Sequence, residues 1–251
     1  MAGHSKWANI KRKKGANDAK RGKIFTKLIR EIQVAAKLGG PDADANPRLR
    51  DAITEAKSNN VPKDTIERAI KRGSGDQDGA QFESISYEGY GPAGVAILID
   101  TLTDNRNRTV ADIRAAMTRN HGNLGESGSV AWIFEKKGVL VIQAKATTEE
   151  ELMEWTLEAG AEDIKNENDV FEVLTDPQLF SDVKEVLDQK KIPIESASLE
   201  MIPKNTVPVS GEDADHLFKL IDVLEDLDDV QKVYANFDID EAELNRVASA
   251  G

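Results

Sequence analysis

The spacing of apolar positions divides the chain near residue 75. Before that point the period is helical. Ile24, Phe25, Leu28, Ile29, Ile32, Ala35 and Ala36 fall on one stripe of a helix that starts at Lys20, and Gly39-Gly40-Pro41 ends it. A second helix follows in "ANPRLRDAITEAKSNN", with Pro47 suited to its first turn and Leu49, Ala52, Ile53 and Ala56 on one face. The third, "VPKDTIERAIKRG", turns Ile66, Ala69 and Ile70 inward, carries Lys71 and Arg72 in its last turn, and stops at Gly73. Residues 1–19 show no period and read as a polar, flexible tail. "GSGDQDGAQ" reads as a linker.

Beyond the linker the pattern alternates between periods of two and 3.6. "AGVAILIDTLT" and "GSVAWIFE" are strand-like, with "TVADIRAAMTRN" helical between them. Next come strand "GVLVIQ", helix 148–159, two strands within 161–175, helix 177–189 and strand 195–202. Finally "TVPVS", helix 212–227 and "VQKVYANFDI" make one more strand–helix–strand unit. Two such units make a ferredoxin-like sandwich, and the middle pair is complete by itself. The first unit lacks a partner unless the last returns to it. The expected fold is therefore α+β: an N-terminal three-helix domain followed by two ferredoxin-like domains, one inserted in the other. The expected bounds are a tail at 1–19, a helical domain at 20–80, a discontinuous domain at 81–136 plus 205–240, and an insert at 137–204.

Charge changes this picture. The net formal charge of the 251 residues is −12, yet residues 1–80 sum to +8 and the remainder to −20. Such a split points to a polyanion-binding end attached to an acidic body. The chain has no cysteine, which fits a reducing compartment and excludes disulfides, thiol catalysis and cysteine-based zinc sites. No apolar run approaches the ~20 residues of a membrane span, and the basic start is not followed by the apolar core of an export signal. A cytoplasmic protein without membrane partners is expected.

Most motifs dissolve on inspection. Gly89-Tyr90-Gly91-Pro92-Ala93-Gly94 matches a dinucleotide-loop pattern, but it leads into a strand, and Pro92 removes a donor; it reads as a hairpin turn. His4, His121 and His216 lack a second ligand at metal spacing, and His121 fits a helix end. The acidic residues Asp222, Glu225, Asp226, Asp228 and Asp229 lack a calcium-loop pattern and read as a solvated helix face and turn. No nucleophile–base spacing suggests catalysis, and no cofactor or metal is expected; the chain does not read as an enzyme.

The N-terminal run is different. Lys6, Lys11, Arg12, Lys13 and Lys14 lie in the tail, and Lys20, Arg21, Lys23, Lys27 and Arg30 continue outside the apolar stripe of the first helix. Trp7 sits among them with no core pattern to claim it. Aromatic rings interleaved with cations suit unpaired bases, which stack while the cations meet phosphates. A second basic patch, "DNRNRTVADIRAAMTRN", brings Arg106 and Arg108 to a helix start, with Thr109 and Asp112 as an N-cap pair. Two readings are open there: a phosphate site, or internal pairing with the acidic body.

"MAGHSKWANIKRKKGANDAKRGKIFTKLIREI", "NVPKDTIERAIKRG", "YEGYGPAGVA" and "TDNRNRTVADIR" resemble the YebC/PmpR family over essentially the whole chain. The resemblance implies a helical first domain and two α/β domains, and a cytoplasmic DNA-binding transcriptional regulator. It also implies an alternative, since the family includes mitochondrial translational activators and bacterial members linked to ribosomes stalled on proline-rich sequences: a factor bound to the ribosome through its RNA. The candidate nucleic-acid-binding residues are Lys6, Trp7, Lys11, Arg12, Lys13, Lys14, Lys20, Arg21, Lys23, Lys27, Arg106 and Arg108.

Overall fold

The computed structural model describes residues 18–75, 82–167 and 169–250. Three helices come first: α1 (Asp18–Gly39), α2 (Pro47–Ser58) and α3 (Lys63–Ser74). Leu28, Ile32, Ala35 and Ala36 of α1 meet Leu49, Ala52 and Ala56 of α2 and Ile66 and Ala69 of α3 in one core. Ile24 departs from the stripe, being 45% exposed, because the packed core begins just after it, at Phe25 and Leu28.

Buried Asn46 joins α1 to α2. Its side-chain oxygen accepts the Leu49 N–H at 3.1 Å, as an N-cap does, and its amide donates to the carbonyls of Ala35 and Gly40 at 2.8 and 2.9 Å. A Cβ at Gly39 would lie 2.6 Å from this side chain. Helix α3 crosses α1 so closely that a Cβ at Gly73 would lie 2.2 Å from the Gln33 carbonyl oxygen. Gly73 therefore does not stop the helix, which runs on to Ser74; it permits the crossing.

The central sheet has the order β3-β1-β2-β9. Its strands are β1 (Glu83–Tyr90), β2 (Ala96–Thr103), β3 (Asn123–Leu124) and β9 (Val230–Ala235). Strands β1 and β2 form an antiparallel hairpin, with Tyr90 opposite Ala96. The Gly-rich segment between them is the turn, with Ala93 and Gly94 at φ of 57° and 75°. Strand β9, from the far end of the chain, pairs antiparallel with β2. Helices α4 (Arg106–Arg119), α7 (Gly211–Asp226) and α8 (Glu241–Ala250) contribute Ile113, Met117, Leu217, Ile221, Leu244 and Val247 to a core with Ile97, Ile99 and Val233.

Three local readings change. "GSVAWIFE" is not one strand: a short 3₁₀ turn occupies Ala131–Ile133, and the strand begins at Phe134. "TVPVS" does not join the central sheet; β8 (Val207–Pro208) pairs parallel with β10 (Phe237–Asp238) in a separate two-stranded ladder, where Pro208 limits its donors. Helix α8 has few apolar positions to mark it in the sequence, yet Leu244 and Val247 join the core.

The second sheet is made of β4 (Phe134–Gln143), β5 (Ala161–Glu167), β6 (Val170–Thr175) and β7 (Ile194–Pro203). With α5 (Glu149–Thr156) and α6 (Phe180–Gln189) between strands, its order β5-β6-β4-β7 is that of a ferredoxin-like sandwich. Its core joins Leu140, Ile142, Leu152, Phe171, Val173, Phe180 and Leu187. A reciprocal Thr148–Glu151 capping box starts α5. The class is thus mixed α and β, with helices at the N-terminus followed by antiparallel sheets. No helix among the described residues is long and apolar enough to cross a membrane.

Candidate nucleic-acid interface

Of the predicted site residues, Lys6, Trp7 and Lys11, Arg12, Lys13, Lys14 lie outside the described residues. Lys20 and Arg21 lie on the first turns of α1. Lys23 is exposed and forms an ion pair with Asp226 at 3.0 Å. Both partners are about half exposed or more, so this pair contributes ~1 kcal/mol or less and is screened by salt. Lys27 and Arg30 are half-buried and engaged with neighbouring groups. Among the described cations of α1, Lys23 and Lys37 are exposed, and Lys27 and Arg30 are half-buried.

The helical bundle adds cations that sequence reasoning had treated as helix-end residues. Lys71 and Arg72 are exposed in the last turn of α3, beside the close crossing at Gly73. Their adjacency in "IKRG" was the available signal. Arg48, in contrast, is committed to Glu31, with Nε–Oε1 at 2.6 Å and Nη2–Oε2 at 3.1 Å, the fork geometry of a strong pair.

At the second patch the structure separates the two arginines. Helix α4 is capped by Asn105, whose side chain accepts the Arg108 N–H at 3.1 Å. This replaces the expected Thr109–Asp112 cap. Thr109 lies inside the first turns, buried, and its hydroxyl donates to Asp229 Oδ2 at 2.8 Å. Arg108 reaches the same oxygen through Nη2 at 2.7 Å and Nε at 3.2 Å, and donates to Asp104 at 2.9 Å. The Thr103 hydroxyl closes the network. Burial alone would raise the Asp229 carboxyl, but the Arg108 guanidinium and the two threonine hydroxyls outweigh it and hold it below the usual value. Asp229 is thus not part of a solvated acidic face; it is a buried anchor joining β9 to α4. Internal pairing holds for Arg108. Arg106 is exposed, near the Tyr87 hydroxyl, and stays accessible to an anion.

A second buried carboxylate shapes a neighbouring loop. Glu88 of β1 is 7% exposed, and its oxygens accept the N–H groups of Gly128, Val130 and Ala131 at 2.7, 2.6 and 2.7 Å. Burial works to raise this carboxyl, and the three backbone donors together draw it below the ordinary range. His121 follows the α4 end at φ 62°, and its ring stacks on His216 at 4.1 Å, so its place at a helix end stands and it also has a partner on α7. Among the described residues no cluster of three or more His, Asp or Glu side chains is placed to hold a metal.

Comparison with known proteins covers nearly the whole chain. Residues 5–76 match the TACO1/YebC protein N-terminal domain, and residues 82–237 match the TACO1/YebC second and third domain. A probable transcriptional regulatory protein of Geobacter sulfurreducens is 55% identical over 247 residues, which is 98% of this chain and 100% of that one. Another of that description, from Natranaerobius thermophilus, is 56% identical, covering 96% of this chain and 98% of its own. The crystal structure of a conserved hypothetical protein from Aquifex aeolicus superposes with a TM-score of 0.79 at 50% identity, over 89% of this chain and 93% of that one.

Proposed function

The chain belongs to the TACO1/YebC family, and from that membership and its charge layout we propose that it is a nucleic-acid-binding regulator of gene expression that acts on promoter DNA. The observation that supports this most is the partition of charge, +8 over residues 1–80 against −20 over the rest. Its relatives' description as probable transcriptional regulators points the same way. In this reading the tail cations Lys6 and Lys11, Arg12, Lys13, Lys14 and the α1 start (Lys20, Arg21, Lys23, Lys27) neutralise phosphates. Counterion release then supplies much of the affinity. Arg106 is an additional contact, and Arg108 acts on the fold instead.

A second reading, binding to ribosomal RNA, is favoured by Trp7 in the basic run, since unpaired RNA bases stack on aromatic rings. One experiment separates the two. Lysate is sedimented at low and high salt after DNase treatment. Comigration with ribosomes that high salt abolishes would favour RNA; absence from ribosomal fractions with a defined promoter footprint would favour DNA. Under either reading, replacing Lys11, Arg12, Lys13 and Lys14 by alanine removes up to four phosphate contacts. The slope of log K against log salt should flatten by ~3. An unchanged slope would show that the tail meets no phosphate.

A further inference from the structure

Trp132 is 65% exposed, although tryptophan is among the side chains that gain most from burial. Its exposure is built in. Val130 and Ile133 on either side are buried in the fold. The Ser129 carbonyl accepts both the indole N–H of Trp132 and the Tyr90 hydroxyl, each at 3.1 Å. Glu88 fixes the three N–H groups before Trp132, and the Ile133 carbonyl accepts the Lys204 N–H at 2.8 Å. A buried charge is thus used to hold one aromatic ring outside the core, with that ring's only polar atom bonded to the loop's own backbone.

We propose that Trp132 is a stacking platform for one unpaired nucleobase. The proposal rests on the reading that the protein binds nucleic acid, and it adds a contact far in sequence from the basic tail. Three observations favour a base over a protein partner. The indole N–H is already used, so the ring offers its π-surface and no directional donor. Of the large apolar side chains exposed among the described residues (Ile24, Leu38, Trp132, Met153, Leu157 and Leu179), only Trp132 belongs to the central domain. A protein interface needs a contiguous apolar patch, whereas one base needs one ring. Finally, Lys204 next to the loop is exposed, a cation placed for the phosphate that accompanies a stacked base.

The test uses the full chain with Trp7→Phe and Trp155→Phe, leaving Trp132 as the one fluorophore. A fluorescein-labelled single-stranded RNA 20-mer, the DNA 20-mer of the same sequence and the corresponding duplex are titrated separately. Anisotropy reports binding and indole emission reports stacking. Single strands should quench Trp132, and the duplex should not; the tighter of RNA and DNA identifies the source of the base. In the otherwise natural chain, Trp132→Ala should weaken single-strand binding about 5- to 100-fold with the salt slope unchanged. Trp132→Phe should retain most of the affinity, and Trp132→Leu should behave as alanine does. The substituted side chain is exposed, so these variants keep the fold. Binding by anisotropy with unchanged Trp132 emission and unaltered affinity of Trp132→Ala overturns the platform and leaves the nucleic-acid reading intact. Equal quenching by the duplex, or full affinity of Trp132→Leu, overturns it as well. No binding of the natural chain to any of the three overturns both.

Discussion

Replacing Glu88 by alanine removes the acceptor for three backbone N–H groups at 2.7, 2.6 and 2.7 Å. A hydrogen bond to a charged group contributes ~1.5–3 kcal/mol net, so three set a ceiling of ~4.5–9 kcal/mol. Two effects reduce it. Gly128 is exposed, and water can take its N–H. The three donors also share one carboxylate, so their contributions are not additive. We expect a loss of ~3–5 kcal/mol, a large part of the ~5–15 kcal/mol that holds a typical domain together. Urea unfolding followed by circular dichroism measures it, and Trp132 emission reports the loop directly. Glu88→Gln is the finer probe. Its carbonyl can serve Val130 and Ala131, but its NH₂ then faces the Gly128 N–H, donor against donor. About half the alanine loss should follow. A loss below ~1 kcal/mol for Glu88→Ala, with unchanged Trp132 emission, would refute the claim that this carboxylate shapes the loop.

Gly73→Ala places a methyl 2.2 Å from the Gln33 carbonyl oxygen, backbone against side chain, and should destabilise the helical domain by ~2 kcal/mol or more in thermal unfolding. Arg108→Ala leaves buried Asp229 without its cation and should cost ~2–4 kcal/mol, toward the lower side for a broken buried pair because Arg108 is itself half exposed. Arg106→Ala should instead leave stability unchanged and weaken nucleic-acid binding; the opposite pattern in paired affinity and melting measurements would reverse their roles. Glu88 and Asp229 are both held below the ordinary carboxylate range. Their stabilisation is therefore present above the unfolded value of ~4 and is lost as pH falls through their lower folded values. The melting temperature should drop steeply below pH ~4, and Glu88→Gln or Asp229→Asn should flatten that acid limb.

The elements with a strong period of their own could be read from the sequence: α1 to α3, β2, β6 and α7 each carry a buried stripe or a continuous apolar run that dictates its conformation. The basic run could be read for the same reason, since charge is a property of residue type and needs no neighbour. So could the hairpin turn at Gly91–Gly94, where positive φ calls for glycine at the turn's end. What the sequence left open depended on partners distant along the chain. "GSVAWIFE" looks like a strand until Glu88, 40 residues earlier, captures its amides. Arg108 and Arg106 are the same residue type two positions apart, and only the arrival of Asp229, in the turn just before β9, ties Arg108 into an internal ion pair. Asp229 itself sits in an acidic cluster that, from sequence, reads as a solvated helix face. The period of a helix or strand is local and survives in one dimension. The fate of a single charge or ring depends on desolvation and on which groups the fold brings within 3 Å, and only the tertiary structure decides that. By itself the sequence specified a basic, helical beginning and an acidic α+β remainder. The fold then chose which arginine is structural, which carboxylates are buried, and that Trp132 stands outside the core.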